Sequence, residues 1–144
     1  MIRLLGALLL AGLALSACGS VSASTAMSNW TNKNTFLATT RTLRVDAAHS
    51  ATALENDGSA PDVLHTVCGV LLIDTQSAND DLPTPDAQAT SLLGQAYVNL
   101  GAAANTCYKA ASDAALRATA LRFLSLGAGQ LAEGTARVAS VKAS

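Results

Sequence analysis

Aromatic and charged residues are scarce in this chain. Its 144 residues include two Phe, two Tyr and one Trp, and charged side chains make up 13% of the total. Nine Lys or Arg against ten Asp or Glu give a formal net charge of −1. Because binding to nucleic acid depends on clustered positive charge, this balance argues against a nucleic-acid partner. Apolar residues reach 50%, so a core is available, and it must be built from Ala, Leu and Val.

Catalytic and metal-binding patterns are also missing. The two histidines, His49 and His65, fall on different predicted helices, and neither belongs to a Glu-x-x-His, His-x-x-x-His or Cys-x-x-Cys-His pattern. No Gly-x-Ser-x-Gly elbow and no phosphate-binding glycine loop occurs. The run Asn79-Asp80-Asp81 lacks the alternating ligands of a calcium-binding loop. We therefore predict no enzyme activity, no cofactor and no metal site.

The N-terminus has the pattern of an export signal. Arg3 precedes an apolar run from Leu4 to Leu15, which is shorter than the roughly 20 residues that cross a bilayer as a helix. Small residues follow the run, as they do before a cleavage site. The motif Leu15-Ser16-Ala17-Cys18 resembles the lipobox of bacterial lipoproteins. The resemblance implies cleavage after Ala17, lipidation of Cys18, and anchoring in the membrane on the extracytoplasmic side of a bacterial cell.

This resemblance divides the chain into three parts. Residues 1–17 are expected to be the lipoprotein signal peptide, 18–27 the lipidated anchor with a flexible tether, and 28–144 the folded domain. The segment from Gly19 to Met27 is small and polar, as flexible tethers are. Fully extended, it spans about 30 Å at most. We therefore expect the domain to lie beside the bilayer surface.

Apolar spacing and capping residues predict four helices with short connections, which favours an all-α, antiparallel four-helix bundle. The second predicted helix is short and rich in apolar and β-branched residues, so a buried strand stays an alternative there. The predicted boundaries are Ser28 to Glu55, Pro61 to about Thr75, Thr84-Pro85-Asp86 to about Ala111, and Ser112-Asp113 onward.

Two further cysteines are candidates for a disulfide. Cys68 and Cys107 lie on the apolar faces of the second and third predicted helices, and exported proteins meet an oxidising environment. A bridge between them would stabilise the fold by roughly 4 kcal/mol in the chain-entropy model. Buried free thiols are the alternative. With a second helix ending near Thr75, bringing the two cysteines level requires a long, climbing connection over residues 76–84.

Several other residues each have two interpretations. Arg41 and Arg44, three residues apart, form either a solvated face or a site for an anionic headgroup or a partner's carboxylate. Trp30 either inserts at the membrane interface or caps the near end of the bundle. Four glycines in predicted helices mark bends or close helix contacts: Gly94, Gly101, Gly127 and Gly129.

An anchored, compact scaffold without catalytic residues suggests a non-enzymatic interaction or accessory module that binds another envelope protein. The alternative is a helical bundle that binds a lipid or another small hydrophobic ligand, because small Ala and Gly side chains either bring helices close or leave space between them. A cavity of roughly 300 Å³ or more between the helices would favour the second hypothesis.

Overall fold

The computed structural model describes residues 21–56 and 59–144, and these form an all-helical bundle. The five α-helices are α1 (Ala23–Lys33), α2 (Phe36–Glu55), α3 (Pro61–Asp80), α4 (Ala87–Tyr108) and α5 (Ala114–Ala143). The all-α prediction is confirmed, and no strand occurs within these ranges. The predicted number of four helices is wrong. The lipobox and Cys18 lie outside the described residues.

The first predicted helix is divided into α1 and α2. The break falls at Asn34 and Thr35, where Thr35 has a φ of 48° and a left-handed backbone conformation. This conformation is unusual for a β-branched residue, and it interrupts the helical hydrogen bonding. Apolar spacing continues across the break, because Phe36 at the start of α2 is buried like the core residues that come after it. Spacing alone therefore predicted one helix where there are two.

Helix α1 begins at Ala23, within the segment predicted to be a flexible tether. The Ser22 hydroxyl caps this helix by accepting a hydrogen bond from the Thr25 amide at 3.1 Å. Met27 is fully buried, and the Ser24 hydroxyl donates to the carbonyl of Lys142 near the end of α5 at 2.7 Å. The tether prediction is therefore wrong for residues 23–27, which are packed onto the bundle.

The connection between α3 and α4 is shorter than predicted. Helix α3 begins at Pro61 as expected but continues to Asp80, five residues beyond the predicted end. Those residues add about 7.5 Å of helix, so the long climbing loop is replaced by residues 81–86. Asp86, rather than Thr84, caps α4 by accepting from the Ala89 amide at 2.8 Å.

Cys68 of α3 and Cys107 of α4 form a disulfide with their Cα atoms 6.0 Å apart. Both cysteines are fully buried. The predicted pairing is confirmed, although the joined helices are the third and fourth of the chain. The rest of the core consists mainly of Leu and Ala, as the composition predicted.

Helix α5 is the longest helix and packs against α4, α2 and α1. Its N-cap is Asp113, as predicted, whose carboxylate accepts from the amides of Ala115 and Leu116. Helix α3 packs against α2 and α4. Helix α5 therefore presents one face to α4 and another to α2.

Two glycines let α4 and α5 approach closely. A Cβ placed on Gly127 would lie 2.8 Å from Leu100 Cγ, and one on Gly134 would lie 2.7 Å from Leu93 Cδ2. The close contact predicted at Gly127 is confirmed, whereas Gly134 was missed. The other three glycines predicted to mark contacts have only ordinary neighbours or open space around them: Gly94, Gly101 and Gly129.

Candidate ligand-binding site

An apolar groove runs between α2 and α5. Its volume is about 420 Å³, and nine of its twelve lining residues are Ala or Leu. Leu100 of α4 lies at its floor, beneath the two helices. The volume falls within the range of small-molecule sites in proteins, and the lining matches an apolar ligand rather than a polar one.

Small side chains at the α2–α5 contact leave this space open. Ala47, Ala48 and Ala51 face the groove from α2, and Ala128 faces it from α5. A methyl group fills far less volume than a leucine side chain, so helices separated by ordinary packing distances leave a channel where both carry alanine. Small residues therefore have two effects: Gly127 and Gly134 permit close packing at the α4–α5 contact, and the alanines leave a groove at the α2–α5 contact.

A buried arginine connects the two helices at one end of the groove. Arg117 of α5 is 7% exposed, and its guanidinium donates to the carbonyls of Leu54 and Asn56 at the end of α2, at 3.1 and 3.0 Å. The same guanidinium donates to the carbonyl of Ala111 before α5. A cation at a helix C-terminus is favourable because the unsatisfied carbonyls carry partial negative charge. Arg117 therefore ties the end of α2 to the start of α5.

Sequence reasoning missed this arginine, although its position on α5 carries a signal. Arg117 has the spacing of the buried residues Ala120, Leu124 and Leu131 on α5, so it stands on an apolar helix face. A charged residue in such a position needs several hydrogen-bond partners. The carbonyls at the end of α2 supply them.

Charged side chains lie towards the two ends of the groove. Arg44 and Glu55 both line it and are both exposed. Their separation of eleven residues on α2 corresponds to about 16 Å along the helix. Of the two arginines singled out in the sequence, Arg44 lines the groove and Arg41 does not. Within residues 21–56 and 59–144 the ion pair is formed by Asp86 and Arg137, away from the groove, so Arg44 has no carboxylate partner there.

The opposite side of α2 holds a pair of acidic groups. Asp46 interacts with Asp74 of α3. Burial raises the pKa of Asp46 most, the neighbouring carboxyl group of Asp74 raises it further, and His49 lowers it by a smaller amount.

The second histidine, His65, stacks on Tyr108 with ring centroids 4.1 Å apart. Among the described residues, no group of three or more His, Cys, Asp or Glu is arranged to hold a metal ion.

Trp30 caps the bundle, one of its two predicted roles. Its indole N–H donates to the carbonyl of Asp81 at 3.0 Å, and its ring lies 5.2 Å from that of Phe36. Trp30 thus connects the C-terminal end of α3, at Asp81, to the junction between α1 and α2. Burial and the neighbouring Asp80 raise the pKa of Asp81, and Lys33 opposes them.

A second cleft, of about 400 Å³, lies between α3 and α4. Its lining mixes apolar residues such as Leu72 and Val98 with the polar side chains of Gln76, Asn79 and Asn105. Tyr97 also lines it, and burial raises the pKa of this phenol to about 12. Polar side chains of this kind are well hydrated, so the α2–α5 groove is the stronger candidate for binding an apolar ligand.

No family model, curated protein or solved structure matches this chain. Helices in the described ranges all lack the combination of length and apolar character needed to cross a bilayer.

Proposed function

We propose that this protein is a lipid-anchored bacterial envelope protein that binds a small hydrophobic ligand in the α2–α5 groove. The observation that supports the proposal most strongly is the groove itself, with a volume of about 420 Å³ and a lining dominated by Ala and Leu. This volume exceeds the roughly 300 Å³ at which small-molecule pockets begin. The protein acts by holding the ligand and has no catalytic role.

The proposed anchor would place one end of the bundle near lipid. With Cys18 acylated, residues 19–22 would connect it to α1, and a segment of this length spans about 14 Å at most. Helix α1 begins against the end of α5, through the contact between Ser24 and Lys142. That end of the bundle would therefore lie beside the extracytoplasmic membrane surface, which supplies hydrophobic ligands.

Blocking the groove tests the proposed function. Ala128 lines the groove and is exposed, so Ala128→Trp should fill the space without entering the core. Ala136 is exposed on the same helix outside the groove, which makes Ala136→Trp the matched control. We expect dodecanol to bind the full chain with a negative heat-capacity change in calorimetry. Binding should be lost in Ala128→Trp and retained in Ala136→Trp; equal binding to both variants would contradict the proposal.

Lipidation of Cys18 has its own test. Under denaturing, non-reducing conditions, Cys68 and Cys107 are bridged, so Cys18 is the remaining thiol of the sequence. The proposed thioether predicts no alkylation of the purified protein by iodoacetamide and an added diacylglycerol mass. A single alkylated Cys18 would contradict the anchor and leave the groove proposal intact.

The second candidate function is an interaction module. Val63, Val70 and Ile73 are between 44% and 66% exposed, and their spacing places them on one outer face of α3. This uncharged stripe fits the apolar face of an amphipathic helix in another envelope protein. A photocrosslinker at Ile73 should then give one defined adduct in cells, abolished by Val70→Lys but not by Thr66→Ala. Absence of the adduct would contradict this candidate.

A further inference from the structure

We infer that the ligand of the α2–α5 groove is an amphiphile with one apolar chain and one anionic head, and that Arg44 binds the head. The inference rests on the proposed function, because it assigns a ligand class to the same groove. It comes from the chemistry of the two ends of the groove and from the alanine and leucine surface between them.

Arg44 is suited to bind an anionic head. Its side chain lines the groove from an exposed position on α2, and it forms no ion pair within the described ranges. A guanidinium group donates two parallel hydrogen bonds to a carboxylate or phosphate, and this geometry adds both affinity and orientation. Arg41, one helical turn earlier, adds positive charge on the same side of α2 without lining the groove.

The apolar surface continues from Arg44 towards the end of α2. Ala48 and Ala51 come after Arg44 along the same helix, and Leu121 and Leu124 of α5 also line the groove. The C-terminal end of α2 lies against the start of α5, because Arg117 donates to the carbonyl of Leu54. A linear chain can therefore lie along the groove, parallel to α2, over about 16 Å between Arg44 and Glu55.

The opposite end of the groove does not favour an anionic head. Glu55 lines this end, and the last carbonyls of α2 add partial negative charge. Arg117 lies near this end, and its hydrogen-bond donors are directed at backbone carbonyls rather than into the groove. The polarity of the groove therefore places an anionic head at Arg44 and the apolar tail towards Glu55.

The experiment compares four probes that share one chain length: dodecanol, dodecanoate, dodecyl phosphate and dodecyltrimethylammonium. Each is titrated below its micelle-forming concentration into the full chain carrying Cys18→Ser, so that no attached acyl group competes. We expect at least one anionic probe to bind about tenfold more tightly than dodecanol, which corresponds to one charge-assisted hydrogen-bonded pair. The ratio of carboxylate to phosphate affinity identifies which head is preferred.

Arg44→Gln should remove the preference for anionic probes and leave dodecanol affinity within about twofold. Arg41→Gln is the matched control and should retain the preference. Lengthening the anionic probe by one methylene should tighten binding about fourfold until the groove is filled.

Different results separate this inference from the proposed function. Equal binding of dodecanol and both anions, or tighter binding of the ammonium probe, would overturn the inference while the groove proposal stands. Loss of the preference in Arg41→Gln but not in Arg44→Gln would also overturn it. Failure of all four probes to bind would overturn both proposals.

Discussion

Leu100 of α4 lies directly on the backbone of Gly127 in α5. A Cβ on Gly127 would come 2.8 Å from Leu100 Cγ and 3.0 Å from the Leu100 amide nitrogen. The same relationship recurs seven residues away, between Leu93 and Gly134. As α4 residue numbers fall those of α5 rise, so the two helices are antiparallel. Leu100 also forms the groove floor, so the contact with Gly127 positions a residue of the groove.

Gly127→Ala should destabilise the protein by about 1–3 kcal/mol, because the added methyl group would overlap Leu100 and its backbone. Alanine has a higher helix propensity than glycine, which by itself would stabilise the helix by about 1 kcal/mol. The overlap with Leu100 must therefore outweigh this gain. Urea unfolding followed by circular dichroism measures the change.

Gly129→Ala is the matched control for this substitution. No atom lies within 4 Å of a Cβ placed there, so the propensity gain should appear as an increase of about 0.5–1 kcal/mol in the free energy of unfolding. A stabilised Gly127→Ala variant would show that the contact with Leu100 is looser than described.

Arg117→Met should cost about 2–3 kcal/mol. The substitution keeps an apolar stem of similar length but removes the donors to the carbonyls of Leu54, Asn56 and Ala111. Arg122, exposed on the same helix, supplies the control Arg122→Met, which should change the free energy of unfolding by less than about 0.5 kcal/mol. Equal effects of the two substitutions in urea unfolding would contradict the role assigned to Arg117.

The Asp86–Arg137 pair should make stability depend on acid pH. The Arg137 guanidinium and the Ala89 amide lower the pKa of Asp86 from 3.8 to about 2. A lowered pKa in the folded state stabilises the protein above pH 3.8, and that contribution is lost as the pH falls towards 2. Asp86→Asn keeps an N-cap but removes the ion pair. Its Tm should lie below that of the wild type at pH 6 and converge with it near pH 2.

Arg137→Gln should reproduce the pH-dependent part of this loss. The double variant Asp86→Asn with Arg137→Gln should then lose no more than the larger single effect, since both substitutions remove one interaction. Fully additive losses in Tm would show that the two residues act separately.

Asp46→Asn should raise the Tm at pH 7. Burial and Asp74 raise the pKa of Asp46 above 3.8, so its charged form is disfavoured in the folded protein. Its contribution to stability is complete below pH 3.8 and is lost as the pH rises through the folded-state pKa. The Tm gain should therefore vanish at low pH. Glu133→Gln, an exposed control, should change the Tm at neither pH. A lower Tm for Asp46→Asn at pH 7 would show that the charged carboxylate of Asp46 stabilises the fold.

Much of the fold could be predicted from local signals. Pro61 and Asp113 marked helix starts because capping and dipole effects act within one turn. The bridge between Cys68 and Cys107 was predictable from their positions on apolar faces. The break at Thr35 was missed because the chain turns there without the Gly or Pro that usually signals a turn.

From the sequence, the groove could be predicted only as one of two alternatives, the other being close packing of the helices. Alanine at position 51 or 128 is compatible with close packing or with open space, and the difference depends on how α2 and α5 are spaced by residues elsewhere. Gly134 was missed for the same reason, because its role depends on which leucine of the neighbouring helix lies opposite it. Arg44 was identified with a possible anionic partner, and only the tertiary structure distinguishes it from Arg41.

Ligand binding in the α2–α5 groove is tested most directly by native mass spectrometry of the full chain purified from bacterial membranes, alongside Ala128→Trp. We expect a non-covalently bound mass on the wild-type protein, released on collisional activation as an anionic single-chain amphiphile and absent from Ala128→Trp. An identical spectrum for both proteins, with no bound species or with the same one, would contradict ligand binding in the α2–α5 groove.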